Sequence, residues 1–202
     1  MGYHTEFRGQ FDFNKPLSDK MYSFLKLFNE TRRMKRNVPD AFGIEGEFYV
    51  FGGGDYGQER EDSIVDYNKE PSTQPSLWLQ WTPSEDRLSL GWDYGEKFYS
   101  YTEWLVYLIH KVLAPNGYVL NGSVEWEGED FGDNGTIFVE DNKVFVQEKQ
   151  EDKIEVTPQT AGNYVTSNGK LEWVSDFMRS DVVLLLDEVT DLALNESVKL
   201  LT

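Results

Sequence analysis

The chain has 202 residues and a formal charge of −17, with 36 Asp and Glu against 19 Lys and Arg. That balance disfavours the backbone of nucleic acids and anionic lipid surfaces and suits a basic protein partner instead. Cysteine is absent, which excludes disulfides, thiolate nucleophiles and Cys-ligated zinc, while an aromatic fraction of 15% supplies the bulk for a folded core.

Tyr3 to Phe13 alternates, with Tyr3, Thr5, Phe7, Phe11 and Phe13 on one side and Glu6, Arg8, Gln10 and Asp12 on the other. This predicts a half-buried strand. No apolar leader precedes it, and Glu6 stands where a myristoylation signal wants Ser or Thr, so no signal peptide or lipid anchor is expected. Ser18 is a candidate N-cap for a helix carrying Met21, Phe24, Leu25 and Phe28 on one stripe. Continued at 100° per residue, that helix would bring Arg32 and Lys35 onto the stripe and Arg33 to its flank.

"GIEGEFYVF", Gly43 to Phe51, reads as a second strand, and Asp55 to Ser76 as a long polar loop. Leu77–Trp81 and Leu88–Trp92 read as a hairpin around "TPSEDR". Ser100 and Glu103 form a capping-box pattern before Tyr101, Trp104, Leu105, Leu108, Ile109 and Val112, which share a helical face that Pro115 and Gly117 close. Tyr118–Glu127 and a hairpin over Thr136–Val146 complete the order β-α-β-ββ-α-β-ββ. The expected fold is α+β, a mainly antiparallel sheet with two helices on one face, related to the ferredoxin-like sandwich.

The character changes after Lys149. We expect an α+β domain at 1–149, a charged spacer at 150–157 and a helical appendage at 158–202, with helices over Leu171–Met178 and Val182–Leu201, although "VVLLL" at Val182–Leu186 alone reads equally as a buried strand. The appendage either packs on the domain or joins two copies of the chain.

The segments "MGYHTEFRGQF", "TRRMKR", "VDYN", "QPSLWLQW", "GEKFYSYTEWLVYLI" and "GYVLNGSVEWEGED" together resemble a family of small bacteriophage and bacterial proteins. The resemblance covers about residues 1–146 and implies a cytoplasmic location, the host cytoplasm for a phage gene. It implies no activity and no catalytic residue.

Several patterns invite a chemical reading and fail it. "DVVLLLDEVTD" looks like a Walker B strand, but no G-x-x-x-x-G-K-[ST] accompanies it. "FGGGDYG" lacks the dinucleotide-binding spacing, and "EWEGEDFGDNG" lacks the EF-hand spacing. His4 and His110 stand outside any nucleophile or metalloprotease signature. No metal, cofactor or membrane is expected.

The basic run "TRRMKR" is the anomaly of an acidic chain. Its cations either meet internal carboxylates such as Glu45, Glu47 or Glu125, or form an anion site from Arg32, Lys35 and Arg36. The preferred function is a non-catalytic binding module that engages a protein, such as a basic host protein, through an acidic, aromatic-bearing surface. Its expected contact residues are Trp78, Glu85, Asp86, Glu127, Glu129 and Asp130. Two alternatives stay open. One is an enzyme or binding protein for a small anionic metabolite or nucleotide, using Arg32, Lys35 and Arg36. The other is a structural protein that homo-oligomerises through 158–202.

Overall fold

The alternation in the first segment is realised as β1 (Thr5–Phe13), which buries Thr5, Phe7, Phe11 and Phe13 and exposes the residues between them. The structure is a computed structural model; it describes residues 2–51, 61–148 and 152–157, the backbone of 163–165 and 171–173, and Leu184. In chain order β1 is followed by α1 (Asp19–Glu30), β2 (Lys35–Arg36), β3 (Ile64–Asp66), β4 (Trp81–Pro83) and β5 (Ser89–Trp92). Next come α2 (Tyr101–Tyr107), β6 (Leu120–Gly128), β7 (Asn134–Glu140), β8 (Lys143–Glu148), β9 (Ile154–Val156), β10 (Asn163–Val165) and β11 (Leu171–Trp173).

The main sheet has seven antiparallel strands in the order β4-β5-β1-β6-β7-β8-β9. The unit β1-α1-β4-β5-α2-β6 therefore places its strands as a split βαβ of ferredoxin-like order. β7, β8 and β9 extend that unit beyond β6 as successive neighbours. β2 and β3 pair with each other off the main sheet. Both described rims are short: three residues in β4, which ends on Pro83, and three in β9.

Both helices lie against the Phe7 face. Met21, Phe24, Leu25 and Phe28 of α1 share one core with Trp104 and Tyr107 of α2, and Phe28 packs on both rings, edge to face with Trp104 at 6.1 Å. Phe7 sits among Trp81, Trp92, Phe98 and Tyr101 at centroid separations of 4.9–5.7 Å. Two glycines bend the central strands. Gly9 (φ +111°) and Gly122 (φ +134°) lie on β1 and β6, and a Cβ on either would come within 2.8 Å of a carbonyl on the facing strand.

α1 starts as expected, with Ser18 Oγ accepting from the Met21 N–H at 3.2 Å. It does not continue through Arg36. Thr31 is extended (φ −97°, ψ 124°), and its hydroxyl and N–H both donate to Leu27 O, at 2.7 and 3.0 Å. A β-branched hydroxyl that competes for the i−4 carbonyl favours such a stop. α2 starts at Tyr101, but the capping box does not form. Ser100 is left-handed (φ 54°), and its side chain makes no cap hydrogen bond. The helix then widens into a π-helical turn, Leu108–Leu113, and closes through Gly117 (φ 73°).

The strand expected over Gly43–Phe51 is instead two 3₁₀ turns, Asp40–Phe42 and Ile44–Gly46, followed by unpaired chain. Gly43, Glu45 and Gly46 all have positive φ, which breaks a strand, and side chains take up the carbonyls that follow, as described below. The hairpin over 77–92 is shorter than expected, because pairing begins only at Trp81.

In the tail, part of the expected spacer is strand. Ile154 and Val156 flank Glu155 in β9, which pairs with β8. Leu171–Trp173 is a strand paired with Asn163–Val165, not the start of a helix; the signal for it is Asn168-Gly169, a hairpin dipeptide. The helix expected over 182–201 lies outside the described residues except for Leu184. That residue is fully buried; its N–H donates to Lys111 O at 2.7 Å and its carbonyl accepts from Asn116 Nδ2 at 2.9 Å.

Candidate functional site

The basic run turns inward rather than outward. Because the helix has ended, Thr31–Arg36 is extended, and it buries Arg33 and Arg36 while Arg32 and Lys35 stay half-buried. Arg33, 1% exposed, sends Nη2 to Tyr49 O at 2.5 Å and Glu47 O at 3.4 Å, and Nε to Gln74 Oε1 at 3.4 Å. Its guanidinium lies 4.2 Å from the centre of the Phe28 ring. Burial pushes this group down to about 9, so it is still charged at neutral pH. Its Nη1 is buried with no hydrogen-bond partner among the described residues.

The other cations are engaged too. Lys35 Nζ meets Glu45 Oε1 at 2.9 Å, and Arg36 Nη1 meets Glu61 Oε1 at 2.8 Å and Ser63 Oγ at 3.0 Å. Arg32 donates to Tyr67 O at 3.2 Å and lies 6.0 Å from the Trp78 ring. The proposed anion set of Arg32, Lys35 and Arg36 is thus spent on internal carboxylates, carbonyls and rings. Sequence reasoning anticipated Glu45 as a partner of this run, but it placed Arg33 at the margin, where the structure makes it the most buried base.

The other face of the sheet is different. Residues that alternate away from the core form rows across it: Arg8, Glu125, Thr136 and Gln147; Glu6, Glu127 and Asn134; Gln10, Ser123, Phe138, Phe145 and Glu155. No described helix covers them. Arg8 lies between Glu6 (3.5 Å) and Glu127 (3.6 Å). Lys153 stacks over Phe138 and Phe145 at 4.6 and 4.4 Å and pairs with Glu140.

Two depressions adjoin at Arg8. The first, about 460 Å³, is lined by Glu125, Glu127, Glu148, Asn134, Thr136 and Gln147, so three carboxylates face one guanidinium. The second, about 430 Å³, opens between β1 and β5, which pair at Phe11↔Leu90 and Asp12↔Ser89, with the Phe13 N–H donating to Leu88 O at 2.8 Å, and part toward Gly9 and Trp92. Gln10, Thr82, Ser84, Ser89, Gly91, Trp92 and Tyr94 line it.

The sequence-named contact residues do not converge. Glu85 and Asp86 sit in the β4–β5 turn, beside the Phe13 end of β1, and Asp86 is tied up by Ser84 Oγ (2.6 Å) and the Leu88 N–H (3.0 Å). Glu127, Glu129 and Asp130 lie at or beyond the opposite end, where Thr5 pairs with Gly128. Trp78 is half-buried beside Arg32. Of the named set, Glu127 alone lines either of these two depressions. Reasoning from sequence missed Arg8, Gly91, Tyr94 and Glu148. Strand alternation marks Arg8 and Gly91 as facing away from the core, but no sequence signal reports that β1 and β5 separate.

Among the described residues no three His, Asp or Glu side chains converge as a metal site, and no helix is long and apolar enough to cross a membrane. The "GGGDYG" stretch lies mostly outside the described residues. No family model matches the chain, nor does any curated protein or solved structure.

Proposed function

We propose that the protein is a non-catalytic binding module that engages another protein through the bare face of its sheet. The observation that carries this reading is the pair of adjoining depressions on that face, one with three carboxylates against a single, already paired Arg8. Lys or Arg side chains of a partner fit such a surface, and they meet it with a rate and strength that fall as salt screens the charges. We assign the acidic, aromatic-bearing surface expected from composition to this face. It is centred on Arg8, Glu125, Glu127 and Glu148 with Tyr94 at its margin, rather than on Trp78, Glu85 and Asp86. On the phage reading of the family resemblance, the partner is a basic protein of the host.

The test compares co-purification from a bacterial lysate at low salt for the wild type, for Glu125→Lys/Glu127→Lys and for Glu85→Lys/Asp86→Lys. A partner should be kept by the wild type and by the turn variant, and lost by the face variant and at high salt. An identical set of retained proteins for all three chains would refute the reading. The anion-binding alternative gains nothing from the basic run, whose cations are engaged.

A further inference from the structure

The crevice between β1 and β5 is a gap inside a sheet, and four observations say what fits it. In an antiparallel ladder the main-chain groups face alternate neighbours. Leu90 pairs with Phe11 and Gly91 with Thr82, so Trp92 turns its N–H and C=O back toward β1. By the same alternation Gly9 of β1 faces β5. The ladder has ended before either rung is reached.

Gly91 is the second observation. It has no positive φ, and a Cβ placed on it would meet no atom within 4 Å. Neither conformation nor packing requires glycine there, in contrast to Gly9 and Gly122. The missing side chain keeps the crevice open, and strand glycines without a bulge or bend are found where a ligand or another backbone approaches closely.

Tyr94 is the third. It is 81% exposed, 5.1 Å from Trp92, and held at φ +65°, a region that bulky residues rarely adopt. The fourth is chemical. In a chain with 36 acidic residues, no carboxylate among the described residues lines this crevice; its polar groups are the amide of Gln10, the hydroxyls of Thr82, Ser84, Ser89 and Tyr94, and Arg8, with Asp12 and Asp86 bonded behind Gln10 and Ser84.

We propose that the crevice is a docking slot for an extended segment of the partner polypeptide. The segment adds its backbone to the open rungs at Gly9 and Trp92, as in strand addition. It seats an uncharged side chain over Gly91 against Tyr94. A Lys or Arg further along it reaches past Arg8 to Glu125, Glu127 and Glu148, which supply the charge complementarity. This rests on the protein-binding reading above and names the partner element that reading requires.

The test uses the hexapeptide acetyl-Lys-Val-Tyr-Val-Lys-Val-amide, followed by amide chemical shifts and calorimetry on the full chain. Saturable shifts are expected at Gly9, Gly91 and Trp92. Replacing both lysines by glutamate, or N-methylating the valine amides, should weaken binding about tenfold or more. Gly91→Val should do the same while raising the melting temperature, because valine favours a strand and finds empty space. Equal affinity for the N-methylated peptide on the wild type overturns the slot, whatever Gly91→Val does to folding. Binding that survives Gly91→Val but falls in Glu125→Gln/Glu127→Gln/Glu148→Gln overturns the slot and keeps the acidic face. No binding by either the lysine or the glutamate peptide overturns both. Shifts at the same amides with methyl glucoside but not with peptide also overturn it, in favour of a sugar site.

Discussion

The hydroxyl of Tyr107 donates to Glu47 Oε2 across 3.0 Å, and both residues are sealed from water. Burial raises the Glu47 carboxyl above its ordinary 4.5, although the Ile44 N–H, the Lys111 charge and the Tyr107 hydroxyl all favour the anion. Between 4.5 and the raised value, the native chain holds a proton that the unfolded chain has released. Stability therefore increases as pH falls through that window. Glu45 and Glu61 act the other way. Burial pushes each up, but Ser72 and Lys35 around one, and Arg36 and Ser63 around the other, outweigh it and hold both below the ordinary value. Their contribution is full above about 4.5 and is lost on further acidification. Glu47→Gln keeps an acceptor for Tyr107 and removes the titration. As pH falls from neutral toward 4.5, the melting temperature of the wild type should gain on that of the variant. Parallel curves would show that Glu47 does not titrate in this window.

Arg33→Lys keeps the charge and loses the planar fork that reaches the carbonyls of Glu47 and Tyr49. Leaving buried acceptors short should cost about 1–3 kcal/mol in urea denaturation. An unchanged midpoint would mean that these carbonyls do not depend on the guanidinium.

Two ion pairs from the same short run should differ sharply. The Arg36 side chain is 1% exposed against Glu61, whereas Lys35 and Glu45 are 26% and 35% exposed. Arg36→Ala strands a carboxylate beside a buried site and should cost about 3 kcal/mol. Lys35→Ala should cost less than about 1 kcal/mol. Equal losses in chemical denaturation would show that burial does not separate the two pairs.

Leu184 ties the tail to the end of α2, with its side chain in the core and its main chain bonded to Lys111 and Asn116. Leu184→Ala should destabilise by about 2–5 kcal/mol, as for a buried leucine elsewhere. Sedimentation of Leu184→Ala at native pH should give the wild-type mass. A drop in mass with no loss of stability would instead assign this leucine to a contact between copies.

How much of this was legible beforehand depends on which force decided each element. β1 and α1 were, because apolar periodicity and the Ser18 cap act locally. The α+β layering followed from element order. The Gly43–Phe51 strand failed because the acceptors of that segment are taken by Arg33, Gln74 and Thr31, from distant parts of the chain. The capping box at Ser100 failed because its backbone is left-handed, which no S-x-x-E spacing reports. The candidate face was half visible. Alternation gives which residues point away from the helices, but the parting of β1 from β5 depends on pairing between segments as distant as Phe11 and Leu90.

Both described rims of the sheet end in short strands. A long unpaired edge recruits strands from other molecules, whereas a three-residue edge stopped by Pro83, or flanked by Lys153, offers too few rungs to do so. Among the described strands, the rims therefore disfavour the edge-to-edge pairing from which cross-β growth starts. Self-association among the described strands, when it occurs, is steered away from growth of an endless ribbon.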